Sequence, residues 1–110
     1  MNIKIEKIEY YLPENLVTNK HLQKQNPSWD MLKAVEKSGV HERYFADENE
    51  TAFDLACKAC DKLFHNSNIK KEDIDGIIFC TQSPDYIMPS NAFLLHNYLG
   101  LPNSTFAFDY

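Results

Sequence analysis

Three cysteines and four histidines are the side chains of this sequence best suited to nucleophilic, metal-binding or proton-transfer chemistry. Cys57 and Cys60 form a Cys-x-x-Cys pair. A tetrahedral metal needs four ligands, and a redox pair of this spacing normally opens a helix. Here no second ligand pair follows, and both residues lie inside an apolar helical repeat, so core packing is the expectation. Cys80 sits inside the run Gly76-Ile77-Ile78-Phe79-Cys80-Thr81, which reads as a buried strand. Apolar surroundings raise a thiol's pKa, so a packed, inert Cys80 is expected. His21, His41, His65 and His96 stand too far apart for a ligand set and are expected at the surface or on helix flanks. Lys70-Lys71-Glu72-Asp73 reads as a solvated turn. No metal or cofactor is expected on these residues.

The elements around them follow from periodicity. Ile3 and Ile5, then Ile8, Tyr10 and Leu12, alternate with polar neighbours and change phase at Glu6-Lys7, which predicts one bulged strand ending at Pro13. Trp29, Leu32 and Val35 recur at threes between a capping Ser28 and a terminating Gly39, which predicts a helix. Thr51-Ala52-Phe53-Asp54 has the form of a capping box. Behind it Ala52, Ala56, Ala59, Cys60 and Leu63 carry a helical repeat to about Asn66.

The unbroken apolar run from Gly76 predicts a strand covered on both faces, the habit of parallel sheets. After the turn-rich Gln82-Ser83-Pro84-Asp85, Ser90 is the expected cap of a helix carrying Ala92, Phe93, Leu94, Leu95, Tyr98 and Leu99, closed by Gly100. That helix is apolar nearly all round and is expected to be buried. Thr105-Phe106-Ala107-Phe108-Asp109 reads as a last strand. Strand, helix, strand, helix, strand implies an α/β fold with a mostly parallel sheet, packing helices and right-handed crossovers. Such a domain normally continues into a covering helix, so an end at Tyr110 reads as a truncation.

Composition narrows the class. With 110 residues, 44% hydrophobic and 25% charged, the chain is ordinary for one globular unit. A net charge of -5 without a basic stripe argues against nucleic acid. No apolar run approaches the roughly 18 residues of a membrane span, and the start has no uninterrupted apolar signal region. An odd cysteine count suits a reducing compartment. A cytoplasmic protein with neither nucleic acid nor membrane as partner is the expectation.

Seven short stretches then stand in one order and spacing: Tyr11-Leu12-Pro13-Glu14, Val17-Thr18-Asn19, Ser38-Gly39-Val40-His41-Glu42-Arg43, Asp73-Ile74-Asp75-Gly76-Ile77-Ile78, Thr81-Gln82-Ser83-Pro84-Asp85, Pro89-Ser90 and Phe108-Asp109. In this series the chain resembles the N-terminal portion of β-ketoacyl-acyl-carrier-protein synthase III, a thiolase-fold condensing enzyme, and the similarity runs along essentially the whole chain.

The resemblance implies an α/β thiolase-like half-domain occupying residues 1–110, truncated before the catalytic cysteine. That nucleophile is expected a few residues beyond Tyr110, at the start of the helix after the Phe-Asp strand, so no catalytic residue is assigned within the chain. Lys37, one position before the family's Thr-Gly-Ile-like motif, and Met88, before Pro89-Ser90, are implied substrate-binding residues. Met88 would help close the acyl pocket. Thr105, Phe106, Ala107, Phe108 and Asp109 are the implied dimer-interface strand of a homodimer.

The implied partners are acyl-carrier protein and an acyl thioester substrate. Lys33 stands where members that use coenzyme A carry a Trp, which leaves acyl-CoA and carrier-protein donors both open. Lys7 and Glu9 replace glycines usual in the family's first strand. Two other readings stand beside condensation: acyl transfer to an oxygen, nitrogen or sugar acceptor on the same fold, and a non-enzymatic scaffold or interaction module.

Overall fold

The capping box anticipated at Thr51 forms in the computed structural model, which describes residues 2–110. The Thr51 hydroxyl accepts the Asp54 amide at 3.2 Å, and the Asp54 carboxylate accepts the Thr51 amide at 2.9 Å. Two of the first-turn donors are thereby satisfied. The helix that follows, Ala52–His65, is designated α3 below, after the shorter helices that precede it.

Two compact units divide the chain. In the first, Leu12–Asn49, a strand Asn15–Thr18 (β1) pairs antiparallel with Glu42–Phe45 (β2), in a register that sets Asn15 opposite Phe45 and Thr18 opposite Glu42. Between them run two helices, Asn19–Gln25 (α1) and Met31–Ser38 (α2). Thr18 caps α1 by accepting the His21 amide, and Asn19 Nδ2 donates to Val40 O at 2.8 Å, tying the helix start to the approach of β2. The α2 cap is Asp30, which accepts the Lys33 amide at 3.0 Å. The predicted Ser28 cap is therefore displaced by two residues. A carboxylate is the stronger acceptor at the positive end of a helix. Gly39 ends α2 at φ 69, a left-handed value that side chains disfavour.

In the second unit, Gly76–Phe79 (β3) and Phe106–Asp109 (β4) pair in parallel, with Gly76 beside Phe106 and Phe79 beside Asp109. Asn91–Leu99 (α4) crosses between them and packs on both strands and on α3. Cys57, Phe79, Ala92, Leu95, Leu99 and Leu101 form the buried core, flanked by Phe53, Ala56, Cys60, Phe64, Ile77 and Ala107. Thr105 closes its lower edge, its hydroxyl donating to Ile74 O at 2.7 Å.

Three expectations about this unit are corrected. Residues 3–12 form no strand: a strand exists only through its ladder, and no described segment pairs with this one. Side chains of α3 and of its C-cap Asn66 hold it instead. Lys62 Nζ donates to Tyr10 O at 2.8 Å and Asn66 Nδ2 to Glu9 Oε1 at 3.1 Å. That amide, with Lys7 beside it, holds the Glu9 carboxyl below its usual range. Next, β3 is covered on one face only. Ile77 and Phe79 turn to the core, whereas Ile78 is 63% exposed on the side it shares with Phe106 and Phe108. Lastly, α4 is not buried all round. Ala92, Leu95 and Leu99 are buried, but Phe93 and Tyr98 are exposed, the latter donating to Asp61 at 2.8 Å.

Candidate functional site

Ligands of open parallel α/β sheets gather at the carboxyl ends of the strands. Here those ends are Phe79 and Asp109, side by side in the ladder. The Phe79 carbonyl accepts the Tyr110 amide at 2.8 Å, and the Tyr110 carbonyl accepts the Thr81 amide at 3.3 Å. The two exits from the sheet thus leave together.

At this point Asp109 performs a role not visible in the spacing of residues. Its two carboxylate oxygens accept the first amides of α4, Asn91 at 2.8 Å and Ala92 at 2.7 Å. Ser90, the anticipated cap, occupies the cap position but its hydroxyl makes no capping bond. The correction has a simple cause: a carboxylate bonded to two amides at the positive helix end is a stronger acceptor than a serine hydroxyl. Asp109 thus satisfies the first two amides of the helix.

The network continues. Asn91, 0% exposed, accepts the Asp85 amide through Oδ1 at 3.1 Å and donates through Nδ2 to Asp85 Oδ1 at 3.0 Å. Asp85 Oδ1 also accepts the Phe53 amide at 3.3 Å, on the first turn of α3. One chain of hydrogen bonds therefore joins the end of β4, the start of α4, the loop after β3 and the start of α3. That loop lifts Tyr86, Ile87 and Met88 out of the core, with Met88 84% exposed. Three adjacent exposed side chains therefore stand on a loop pinned by part-buried polar bonds.

Of the residues singled out from the sequence, Met88, Phe106, Phe108 and Asp109 fall in this unit. Phe106 and Phe108 are exposed and stack at 6.1 Å on the uncovered side of the sheet, and the outer edge of β4 has no ladder partner among the described residues. Thr105 and Asp109 spend their side chains inside the unit, leaving only backbone for an edge contact. Lys37 lies in the other unit, exposed on the last turn of α2. Lys33 is exposed on the same helix. Beside them an open groove of about 650 Å³ runs along Met31, Leu32 and Val35 of α2 and is bordered by Thr18, Asn19 and His41.

The cysteines divide differently than anticipated. Cys57 belongs to the core, and burial pushes its thiol up to about 11. Burial also raises that of Cys60. Cys80 is exposed, not packed: β3 ends at Phe79, and the next side chain falls on the uncovered side of the sheet. Among the described residues no group of three or more His, Cys, Asp or Glu side chains could hold a metal ion, and no helix is long and apolar enough to cross a membrane.

No family model matches the chain. Individual proteins do. The chain is 42% identical over 106 residues to β-ketoacyl-[acyl-carrier-protein] synthase III of Campylobacter jejuni subsp. doylei, covering 96% of this chain and 32% of that protein. Against the Rickettsia canadensis enzyme of the same name it is 38% identical over 106 residues. Among solved structures, a 3-oxoacyl-(acyl-carrier-protein) synthase III superposes with TM-score 0.84 at 40% identity over 96% of this chain and 32% of that one. The synthase III of Thermus thermophilus superposes with TM-score 0.80 at 33% identity over 92% of this chain and 30% of that one.

A parallel β3–α4–β4 unit superposing this closely makes the fold thiolase-like α/β. Within that class the chain is similar to the β-ketoacyl-[acyl-carrier-protein] synthase III enzymes over nearly its whole length. It spans about a third of the length of the curated relatives it matches.

Proposed function

We propose that the protein carrying this chain is an acyltransferase performing decarboxylative condensation in fatty acid or related lipid or polyketide biosynthesis. In this reading an acyl thioester transfers its acyl group to a cysteine thiolate beyond β4 and releases the donor thiol. Malonyl-acyl-carrier protein then loses carbon dioxide, and the resulting carbanion attacks the acyl-cysteine carbonyl. A β-ketoacyl carrier protein leaves and the thiolate is restored, so that one hard step becomes two easier ones. The chain itself supplies scaffold and pocket wall, not the nucleophile, and by itself is expected to be inactive.

Within the chain, Met88 is assigned to the acyl pocket and Lys37 to the surface that receives the carrier's or donor's phosphate. The strand 105–109 is assigned to a two-fold interface in a cytoplasmic homodimer. The observation that carries the reading is identity of 42% joined to a TM-score of 0.84 with proteins named for this reaction, each over 96% of the chain.

The test supplies the full-length protein with an acyl thioester and malonyl-acyl-carrier protein and follows carbon dioxide together with the carrier-bound product by mass spectrometry. Condensation yields both. Acyl-enzyme formation with neither product would favour the second reading, transfer to an oxygen, nitrogen or sugar acceptor. Lys33, at the position where members that use coenzyme A carry a Trp, is the observation favouring that alternative.

A further inference from the structure

We infer that Asp109 is a positioning residue for acyl-chain selection, acting through Asn91 and Asp85 on the loop that carries Met88; the inference rests on the function proposed above. Three observations lead to it. Asp109 caps α4 from a neighbouring strand with both oxygens, so β4 and the helix start move as one. Asn91 is fully buried and spends both ends of its amide on Asp85. Asp85 in turn is bonded to the start of α3, which anchors the loop from a third element.

Between these anchors the loop has little else to hold it. Within this chain Ile87 is 98% and Met88 84% exposed, so no apolar burial among the described residues fixes their place. Ser83 bonds only locally, its amide donating to Thr81 Oγ1. Among the described residues the polar latch is therefore the main restraint on where Met88 stands. A fully satisfied buried network rigidifies what it joins, and one broken member leaves the others unsatisfied.

Two substitutions open the latch from opposite ends. Asp109→Asn keeps the shape but can offer only one acceptor oxygen, so one α4 amide faces an NH2 group. Asp85→Ala removes the loop anchor and leaves the α4 cap intact. Leu99→Ala serves as the control, since it destabilises the core without touching the network.

Amide exchange is measured at residues 82–89 of the full-length protein. Faster exchange there is expected in both latch variants and not in the Leu99→Ala control. Unchanged loop exchange in both would overturn the latch. Paired acyl thioesters differing by two methylenes are then offered in competition. The product ratio reads relative kcat/KM and is independent of how much enzyme is folded, so a merely structural loss does not move it.

Asp109→Asn is expected to reduce discrimination between the pair at least threefold and to diminish the effect of a further Met88→Ala. A ratio that moves no more than in Leu99→Ala would overturn the positioning role. If Met88→Ala alone leaves the ratio unchanged while loop exchange still responds to Asp109→Asn, the latch stands and the assignment of Met88 to the acyl pocket fails.

Discussion

The ring of Phe106 lies across Gly76, its register partner in β3, so closely that a Cβ on the glycine would overlap the ring atoms. Glycine in a strand interior marks such a close approach. Gly76→Ala is therefore expected to push the ring aside and to disturb its stack on Phe108. A cost of about 1 kcal/mol is expected, since overpacking of this kind costs about 1–3 kcal/mol and an exposed ring can yield. In a Phe106→Ala background the same change should cost nothing. Urea unfolding of the four proteins measures the coupling, and additivity would show that the ring does not depend on Gly76.

Thr51 offers a cleaner local test. Thr51→Ala removes the hydroxyl that accepts the Asp54 amide and should cost about 1 kcal/mol, whereas Thr51→Ser should restore most of it. The same unfolding midpoints decide it. Equal loss in the two variants would mean the hydroxyl contributes nothing and the methyl matters.

The cysteines predict an order of modification. An alkylating reagent at neutral pH should label exposed Cys80 first and buried Cys57 last, as read by peptide mass spectrometry. Cys57 also adds a pH dependence. Its thiol, raised from 9.0 to about 11, keeps in the folded state a proton that the unfolded chain gives up. Its contribution is therefore complete below pH 9 and is lost as pH rises through about 11. Cys57→Ala should flatten this part of the stability profile, and an unchanged slope would assign it to other groups.

Met88 carries the chain-length prediction in the full-length protein. A flexible thioether at a pocket wall can yield to a longer chain, and each methylene accepted or excluded is worth about 0.8 kcal/mol, a few-fold in specificity. Met88→Ala should favour longer acyl groups and Met88→Trp shorter ones. A competition assay with a donor series measures both. Identical profiles in the two variants would remove Met88 from the pocket.

Phe106→Lys tests self-association through β4. Among the described residues the strand has an unpaired edge, it carries two exposed rings, and a charge on that face should raise the dissociation constant sharply. Sedimentation of the variant beside the parent measures it. An unchanged oligomer size excludes this strand as the contact.

Local rules explain what was legible. The capping box at Thr51, the repeat through Cys60, the Gly39 and Gly100 stops and the β3–α4–β4 alternation each depend on residues within a turn or two of one another. The seven stretches from Tyr11 to Asp109 pointed to the family for the same reason: they are ordered along the chain and can be read without folding it. The short strands β1 and β2 escaped because each has four residues, only Val17 is buried, and the partner lies more than twenty positions away.

What tertiary structure alone decided is where the long-range bonds go. Asp109 reads as the polar end of a strand, yet it caps a helix that begins 18 positions earlier, a job periodicity had given to Ser90. Ile3 to Leu12 alternates as a strand should but has no ladder partner among the described residues, because a ladder is a property of two segments and a pattern belongs to one. Cys80 shares an apolar run with Phe79 but not its face, and which face is covered depends on where α3 and α4 pack. The sequence by itself determined α2, α3, β3, α4 and β4, their order and the resemblance to synthase III. Folding determined which carboxylate meets which amide, since that choice is made between residues distant in the chain and adjacent only in space.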